Sequence, residues 1–349
     1  MARSRITIIG TGLIGASIGK ALMARSNREF EVVGVDRDRF NVKEAKKLGA
    51  IDRDVDSLEE ALENAGLVII AVPVAAARRI LEEIGPYLKP GAIVTDVCST
   101  KADIMRWAAE FLPEHVHFVG GHPMAGAEQS GPKAARADLF KGAAWAITPS
   151  PRASEDAVSV VLGMVESFGA EPLYIDPTEH DTYAAAISHL PILISVALFR
   201  MVRDSQGWED ASLLAGPAFR DLTRLASGDP TMSTDIMATN RDAVLHWLDR
   251  FQSELNTVRK AIEEGGQVVR DLFTSTQLDR DAFITNPPKR RYPEGPPAPS
   301  AQDAIGRLFA GALYDKLKEV QNRPLGPSGR ANDDELRRKL GVRDEGRDR

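Results

Sequence analysis

The stretch Ile8–Gly19, IIGTGLIGASIG, decides the fold of the first half of the chain. It places Gly10, Gly12 and Gly15 in G-x-G-x-x-G spacing, directly after an apolar strand-like run and at the start of a helical pattern. Such glycines permit a tight turn, close approach of the backbone to a pyrophosphate and close packing of helix on strand. The spacing and its context therefore predict a Rossmann-type dinucleotide site.

Other residues of the predicted cofactor site lie at the ends of neighbouring strands. The second strand ends in Asp36, about 20 residues beyond Gly15, where a carboxylate suits the ribose hydroxyls of NAD. The same carboxylate would repel the extra phosphate of NADP. Arg37 and Arg39 follow closely, so NADP is kept as the alternative to NAD. The predicted cofactor contacts are completed by the start of the first helix and the end of the strand LVIIAV: Leu13, Ile14, Val72 and Pro73. The alternative is a glycine-rich turn without a ligand.

Short β-branched runs alternate with helical patterns up to about residue 176. The predicted strands cover residues 6–10, 31–35, 67–72, 92–97, 117–121, 144–148 and 172–175. Such alternation predicts an α/β domain with a mostly parallel sheet covered on both faces. Helical spacing continues from there to about residue 277. We expect an NAD-binding domain at 1–176, an all-α substrate and dimerisation domain at 177–283, and a Pro-rich, mostly disordered tail at 284–349. The tail contains one helical pattern near 301–320.

Bulk composition excludes several classes of protein. The 349 residues are 43 % hydrophobic and 27 % charged with a net charge of −6, which disfavours a nucleic-acid surface. A single cysteine, Cys98, cannot build a disulfide framework or a Cys-based metal cluster, and the scattered histidines show no metal-binding spacing. The N-terminus lacks the apolar length of a signal peptide, which predicts a cytoplasmic protein. The charge-free run Tyr183–Phe199 contains a histidine, a proline and two serines, so we expect a buried helix and no membrane span.

Three polar stretches fall where predicted strands end. The segment GGHPMAG holds His122 between a glycine pair and a proline, which predicts a loop because proline suits neither a helix interior nor a central strand. The segment DVCSTK contributes Ser99 and Lys101. In an open parallel sheet, ligands bind outside the carboxyl ends of the strands, so we expect these side chains on the same edge as the cofactor.

The helical half contributes histidines and arginines. In FRDLTRLASGDP, Arg220 and Arg224 are four residues apart, which predicts that both guanidinium groups lie on one helix face. Two such groups can bind a carboxylate, although a solvated face with Asp221 as a local partner is an equal alternative. In ISHLPILIS, His189 lies in an otherwise apolar helix that Pro191 is expected to kink. By itself, a histidine there is more often a hydrogen-bonded core residue than a catalyst.

Taken together, these stretches resemble the prephenate/arogenate dehydrogenases of tyrosine biosynthesis. The resemblance rests on GTGLIGASIGKAL, VTDVCSTK, GGHPMAGAEQSG, LFKGAAWAITP, ISHLP and FRDLTRLASGDP, in this order, and extends from about residue 6 to 277. It implies a homodimeric, NAD(P)-dependent enzyme that carries out oxidative decarboxylation of a cyclohexadienol. Hydride passes from the hydroxyl-bearing carbon to the nicotinamide, the ring carboxylate leaves as carbon dioxide, and a phenol results.

The resemblance also implies roles for individual residues. His122 matches the catalytic histidine, which accepts the proton of the substrate hydroxyl, and Ser99 matches a residue that hydrogen-bonds the same hydroxyl. Arg224 matches the arginine that binds the substrate carboxylate. The remaining predicted substrate-site residues are a second cation and three residues that line or support the site: Arg220, His180, His189 and Lys101.

One position departs from the family pattern. Several prephenate-using members carry a second histidine three residues after the SHLP histidine, where this chain has Ile192. That position lies near the substrate side chain, which is a keto acid in prephenate and an amino acid in arogenate. Ile192 therefore leaves the choice open and gives weight to arogenate. Prephenate is the expected substrate, with arogenate or both as the alternative.

Two other functions compete with this hypothesis. A β-hydroxyacid dehydrogenase would share the two-domain architecture, but the helical half shows no convincing G-K-x-x-x-N pattern. A non-catalytic, dimeric NAD-binding sensor would account for the long tail. Against the sensor stands the simultaneous presence of Ser99, His122 and Arg224.

Overall fold

The computed structural model has one eight-stranded sheet in its N-terminal half. The structure describes residues 4–25, 30–127 and 129–288, so the predicted helix near 301–320 lies outside the described residues. The strands are β1 (Ser4–Ile9), β2 (Phe30–Val35), β3 (Arg53–Asp54), β4 (Ala65–Ile70), β5 (Ile93–Asp96), β6 (His117–Pro123), β7 (Ala144–Pro149) and β8 (Glu171–Tyr174).

The sheet order is β3-β2-β1-β4-β5-β6-β7-β8. Strands β1 to β6 are parallel, β7 is antiparallel to β6, and β8 is parallel to β7. This confirms the predicted Rossmann-type, mostly parallel sheet. Sequence patterns missed only the two-residue edge strand β3 among the eight described strands, because a pair of charged residues carries no apolar signal.

Alternate residues of the central strands pack into two separate cores. Ile6 and Ile8 of β1 belong to the core on one face of the sheet, whereas the neighbouring Ile9 belongs to the core on the other face. Because successive side chains of a strand point to opposite faces, a strand buried on both sides must be apolar throughout. This explains why the sheet strands read as continuous apolar runs.

Thirteen α-helices are described. Those of the sheet domain are α1 (Leu13–Met23), α2 (Arg39–Lys47), α3 (Leu58–Leu62), α4 (Val74–Ile84), α5 (Ala102–Phe111) and α6 (Glu155–Ser167). After β8 the described chain is entirely helical: α7 (Pro177–Ala184), α8 (Leu190–Arg203), α9 (Trp208–Leu213), α10 (Pro217–Thr223), α11 (Pro230–Thr239), α12 (Arg241–Glu264) and α13 (Gly266–Thr285). The last strand ends two residues before Asp176, whose side chain caps α7.

A π-helical turn, Ala185–His189, joins α7 to α8. Pro191 follows in the first turn of α8, where the missing proline N–H is tolerated. The helical path thus widens in the turn directly before this proline, and the expected kink at Pro191 stays a prediction. A π-turn displaces the following side chains around the helix axis, and such turns are frequent at functional sites.

The run Pro177–Arg203 is, by length and composition alone, apolar enough to cross a membrane, and it is the one such run among the described residues. In this structure it carries the buried polar residues His180, Asp181 and His189. Much of Tyr183–Phe199 is only half-buried, and Ile187 is 70 % exposed, so the expectation of a fully buried helix is wrong for the single chain.

Candidate active site

The three glycines in the turn after β1 differ in the space around them. Gly10 has φ +93°, and a Cβ there would lie 2.3 Å from the Ala71 carbonyl oxygen. A Cβ on Gly15 would lie 1.9 Å from the Gly10 carbonyl oxygen. Both residues must therefore be glycine for the helix to pack on the sheet. Gly12 differs, because a Cβ there would meet no described atom within 4 Å.

The space beside Gly12 lies at the start of α1. Helix α1 begins after Gly12, and no described side chain caps it. Leu13 and Ile14, the first two helical residues, are half-buried. The first N–H groups of a helix have no intrahelical partner and attract anions. An open approach to a helix N-terminus is what a pyrophosphate requires, so the described residues fit a dinucleotide.

Asp36 lies directly beside this turn. Its Oδ2 accepts hydrogen bonds from the backbone N–H (2.6 Å) and the hydroxyl (3.1 Å) of Thr11, and its Oδ1 accepts one from the Asp38 N–H (2.9 Å). Val72 is half-buried and Pro73 exposed in the turn between β4 and α4. The structure thus brings the predicted cofactor residues to one edge of the sheet.

His122 belongs to a strand, so the prediction of a loop at residues 120–126 is wrong for its first half. Strand β6 includes His122 and Pro123, and His122 pairs with Ala146 of β7. The pairing with β5 ends at Val119, so Pro123 needs no N–H on that side. A strand holds the imidazole more rigidly than the expected loop would.

The glycines before His122 serve close packing rather than a turn. A Cβ on Gly120 would lie 2.2 Å from the Thr148 hydroxyl oxygen. A Cβ on Gly121 would lie 2.7 Å from the Asp96 carbonyl oxygen and 2.8 Å from Nε1 of Trp145. Neighbouring elements therefore come closer to β6 than any side chain at these two positions would allow.

A buried aspartate joins the segments that carry Ser99 and His122. Asp96 Oδ1 accepts a hydrogen bond from the Gly121 N–H (3.1 Å), and Oδ2 accepts one from the Cys98 N–H (2.8 Å) and one from Nζ of Lys101. This carboxylate thus fixes the loop that carries Ser99 against the strand that carries His122. Sequence analysis did not single out Asp96.

Lys101 is held below the loop that carries Ser99. Its side chain is fully buried and forms an ion pair with Asp96, which is also buried. An ammonium enclosed in this way neutralises the carboxylate beneath the site. Lys101 thus supports the Ser99 loop from beneath, and its predicted place near substrate and cofactor stays a prediction.

A chain of hydrogen bonds leads from His122 into the helical domain. Nδ1 of His122 lies 2.9 Å from Nε2 of His180, and Nδ1 of His180 lies 2.8 Å from Oδ1 of Asp181. All three residues are buried. The backbone N–H groups of Lys101 and Ala102 donate to the two carboxylate oxygens of Asp181 at 2.7 and 2.9 Å.

This chain fixes the proton positions of both imidazoles. A carboxylate can only accept hydrogen bonds, so the proton of His180 lies on Nδ1. Its Nε2 then accepts from Nδ1–H of His122, and the lone pair of His122 lies on Nε2. His122 therefore presents Nε2 as a basic nitrogen. Its ring is oriented by His180, which is in turn oriented by Asp181.

Burial keeps His122 unprotonated. Desolvation lowers the pKa of His122 well below 6.5, and His180, Lys101 and His189 lower it further. The ring is thus a neutral proton acceptor at neutral pH.

His189 also supports the site from the helical domain. The side-chain amide of Asn240 donates to Nδ1 of His189 (3.1 Å) and to the Asp181 carbonyl oxygen (2.7 Å). Burial lowers the pKa of His189 to about 4, against opposing effects of the Asp181 carboxylate and the Ser99 backbone. His189 is therefore neutral and fixed by hydrogen bonds, as expected for a buried histidine.

The two arginines lie on a shorter helix than their spacing suggested. Helix α10 ends at Thr223, and Arg224 begins a 3₁₀ turn, Arg224–Ser227. Arg224 keeps right-handed helical dihedral angles at this point, so a face shared with Arg220 stays a prediction. Both arginines are exposed at the surface of the single chain.

No group of three His, Cys, Asp or Glu side chains within residues 4–25, 30–127 and 129–288 is arranged to hold a metal ion. The site combines an open helix N-terminus with a neutral, buried histidine at the same edge of the sheet. With the Rossmann-type sheet, this arrangement defines a nicotinamide-dependent dehydrogenase with an appended helical domain.

Comparisons with known proteins agree with this class and narrow it. The model of the prephenate dehydrogenase nucleotide-binding domain matches residues 18–174, and that of the prephenate dehydrogenase dimerization domain matches residues 176–274. Prephenate dehydrogenase of Bacillus subtilis is 33 % identical over 264 residues, which are 75 % of this chain and 71 % of the relative. Cyclohexadienyl dehydrogenase of Zymomonas mobilis is 32 % identical, over 80 % of this chain and 96 % of the relative.

Solved structures show the same likeness. Prephenate dehydrogenase from Aquifex aeolicus, in complex with hydroxyphenyl propionate and NAD⁺, superposes with a TM-score of 0.75 at 27 % identity, covering 81 % of this chain and 99 % of that one. Synechocystis arogenate dehydrogenase gives a TM-score of 0.67 at 29 % identity, over 80 % of this chain and 99 % of that one. The chain belongs to the prephenate dehydrogenase family.

Proposed function

We propose that this chain is an NAD-dependent prephenate dehydrogenase that converts prephenate to 4-hydroxyphenylpyruvate with loss of carbon dioxide. The single observation that carries the proposal is the His122–His180–Asp181 chain, which fixes a neutral Nε2 at the carboxyl edge of a Rossmann sheet. A dehydrogenase acting on an alcohol needs such a base within reach of the hydroxyl. The chemistry that NAD supplies when bound is acceptance of a hydride.

His122 assists the reaction at the hydroxyl of the substrate ring. As hydride leaves the hydroxyl-bearing carbon, the hydroxyl becomes strongly acidic, and Nε2 of His122 accepts its proton. The bond between the ring and its carboxylate then breaks, carbon dioxide leaves, and the electron pair of that bond makes the ring aromatic. The proton returns from Nε2 to the phenol oxygen, so the residue ends the cycle neutral.

The hydroxyl of Ser99 is proposed to share the substrate hydroxyl with His122. Ser99 follows the β5 end that Asp96 ties to β6, so its position relative to His122 is fixed by buried hydrogen bonds. In this proposal, His180 and His189 support the base and the Ser99 loop instead of binding the substrate themselves. A preorganised pair of this kind costs no reorganisation during reaction.

The substrate anions need cations. Arg224 is proposed to bind a carboxylate, with Arg220 as a second cation, because a planar guanidinium pairs with a carboxylate through two parallel hydrogen bonds. The N-terminus of α5 does not serve as the carboxylate site, because Asp181 already accepts hydrogen bonds from the N–H groups there.

The side chain of the substrate decides between prephenate and arogenate. Ile192 is half-buried on α8 and offers no polar group to a keto acid or an amino acid. A dual, cyclohexadienyl dehydrogenase activity is therefore the second candidate, and the similarity to the Zymomonas mobilis enzyme favours it.

The active form is proposed to be a homodimer joined through the helical domain, working in the cytoplasm. Matching of the dimerization domain model and the exposed apolar side chains of the helical half support this assembly. Two of the most exposed are Leu213 (84 %) and Leu214 (86 %), and such surface is costly to leave in water.

The proposal is tested by initial rates of nicotinamide reduction, with prephenate and arogenate each combined with NAD and NADP. We expect the highest kcat/KM with prephenate and NAD. Comparable rates with arogenate would identify the dual enzyme. Folded protein that binds NAD yet reduces it with neither substrate would contradict the proposal and favour the non-catalytic sensor.

A further inference from the structure

Two aspartates of the helical domain fill helix N-termini of the sheet domain. Asp181 of α7 accepts from the first N–H groups of α5, at Lys101 and Ala102. Asp235 of α11 accepts from the Ala75 N–H in the first turn of α4 (2.9 Å). A carboxylate at a helix N-terminus satisfies free donors and opposes the positive end of the helix dipole. Both contacts therefore dock one domain on the other.

The two aspartates differ in what lies behind them. Asp235 is half-buried, and its one described hydrogen bond to the sheet domain ends at the α4 backbone. Asp181 is buried, and its Oδ1 also accepts from Nδ1–H of His180, the partner of His122. Only the Asp181 contact thus continues from a domain interface to the proposed base.

We propose that Asp181 is a positioning residue that couples domain docking to the protonation pattern of the site. Its carboxylate, held on the α5 N-terminus, keeps a proton on Nδ1 of His180 and thereby on Nδ1 of His122. The lone pair of His122 Nε2 is then directed toward substrate only when the helical domain is docked. This inference rests on the proposed function, because it assigns the base its orientation.

An asparagine at position 181 tests the idea because it cannot satisfy three donors. Oδ1 of Asp181 accepts from both the Lys101 N–H and Nδ1–H of His180, and Oδ2 accepts from the Ala102 N–H. An asparagine amide has one accepting oxygen and one donating nitrogen, so in either orientation its nitrogen opposes a backbone N–H group. The orientation that turns the amide nitrogen toward His180 makes Nδ1 of that ring an acceptor. His180 then donates from Nε2, His122 accepts at Nδ1, and its Nε2 carries the proton.

The experiment compares Asp181→Asn with Asp235→Asn in the full-length chain. Both variants weaken one interdomain helix cap, but only the first reaches a histidine. We expect Asp181→Asn to lower kcat by about 10²- to 10⁴-fold, the range for a base held in the wrong tautomer, with KM for substrate and the Kd of NAD little changed. Asp235→Asn is expected to keep kcat close to the parent value.

The second readout does not depend on turnover. In protein labelled with ¹⁵N at its 6 histidines, the ring nitrogens of His122 are assigned by their loss in His122→Asn. The parent is expected to show a protonated Nδ1 and an unprotonated Nε2, and Asp181→Asn the reverse or a mixture. His180→Phe leaves the cap on α5 intact, so it is expected to lower kcat similarly without loosening the domains. It also serves if Asp181→Asn does not fold.

Equal loss of kcat in the two aspartate variants, with an unchanged His122 tautomer, would overturn the inference and leave Asp181 as a docking residue only. A parent protein without turnover on either substrate would instead contradict the proposed function. The tautomer measurement would still decide the role of Asp181 in that case.

Discussion

Helices α1 and α5 begin at the same edge of the sheet, and their first turns are used in different ways. At α5, the free N–H groups are taken by Asp181, and the hydrogen bonds continue through His180 to His122. At α1, the turn at Gly12 leaves room beside the helix start. The N-terminus of α5 thus helps to support the proposed base, whereas that of α1 remains available to an anionic ligand. A helix N-terminus is a binding site only where the protein leaves its donors unused.

The largest effect is expected from replacing His122, the last residue of the hydrogen-bond chain that begins at α5. His122→Asn removes the proton acceptor but keeps a polar side chain of similar size. We expect kcat to fall by about 10²- to 10⁴-fold, with little change in KM for substrate, as for loss of a general base. Initial rates measure the loss, and the Kd of NAD should equal that of the parent. Turnover near the parent rate would remove His122 from the mechanism.

A smaller effect, on KM rather than on kcat, is expected from replacing Arg224. Arg224→Ala should raise KM for the substrate. The loss of binding free energy should be about 1.5–3 kcal/mol, the range for a hydrogen bond to a charged group. Arg220→Ala, the matched variant one helical turn earlier, should have the lesser effect. An unchanged KM in Arg224→Ala would mean that the carboxylate binds elsewhere.

The α1 side is tested with a pair of glycines. Gly12→Ala fits the folded chain, because the new Cβ meets no described atom within 4 Å, but it occupies the approach to the helix start. We expect weaker NAD binding by about 1–3 kcal/mol, as for a methyl group forced into a filled space, with an unchanged free energy of unfolding. Gly15→Ala should instead destabilise the fold, since its Cβ would lie 1.9 Å from the Gly10 carbonyl oxygen.

Calorimetric titration with NAD and urea unfolding separate these two outcomes. An unchanged Kd of NAD in Gly12→Ala would place the dinucleotide away from this turn and remove the contrast between α1 and α5.

The smallest effect concerns pH. Protonated His122 cannot accept a proton, so kcat/KM should rise with pH through the pKa of His122 and stay level above it. Because burial lowers that pKa well below 6.5, the fall in activity should begin only on the acid side of pH 6.5. The pH profile of kcat/KM measures this. A midpoint at or above 6.5 would contradict a buried, neutral base.

The sequence was sufficient for the sheet domain because its signals are local. The Gly10–Gly15 turn and the apolar strand runs each report their own conformation. The support of His122 could not be derived in this way, because His180 and Asp181 lie in the other domain and approach only through tertiary packing. The adjacent pair His180-Asp181, in the first helix after the last strand, was the local signal for it.

Other differences have similar causes. Lys101 follows the end of a strand, where ligand-binding residues often lie, yet its ammonium forms an ion pair with the buried Asp96. His122 lies in a strand because the glycines at 120 and 121 permit close packing, whereas their usual meaning in sequence is a turn. Arg224 lies at the end of α10, where the α-helix passes into a 3₁₀ turn that the four-residue spacing could not predict.

The most direct test of the account is the ratio of carbon dioxide released to nicotinamide reduced, with prephenate and NAD and the parent protein. Oxidative decarboxylation predicts one molecule of carbon dioxide for each nicotinamide reduced, and 4-hydroxyphenylpyruvate as the product. Nicotinamide reduction without release of carbon dioxide, or release without reduction, would contradict it.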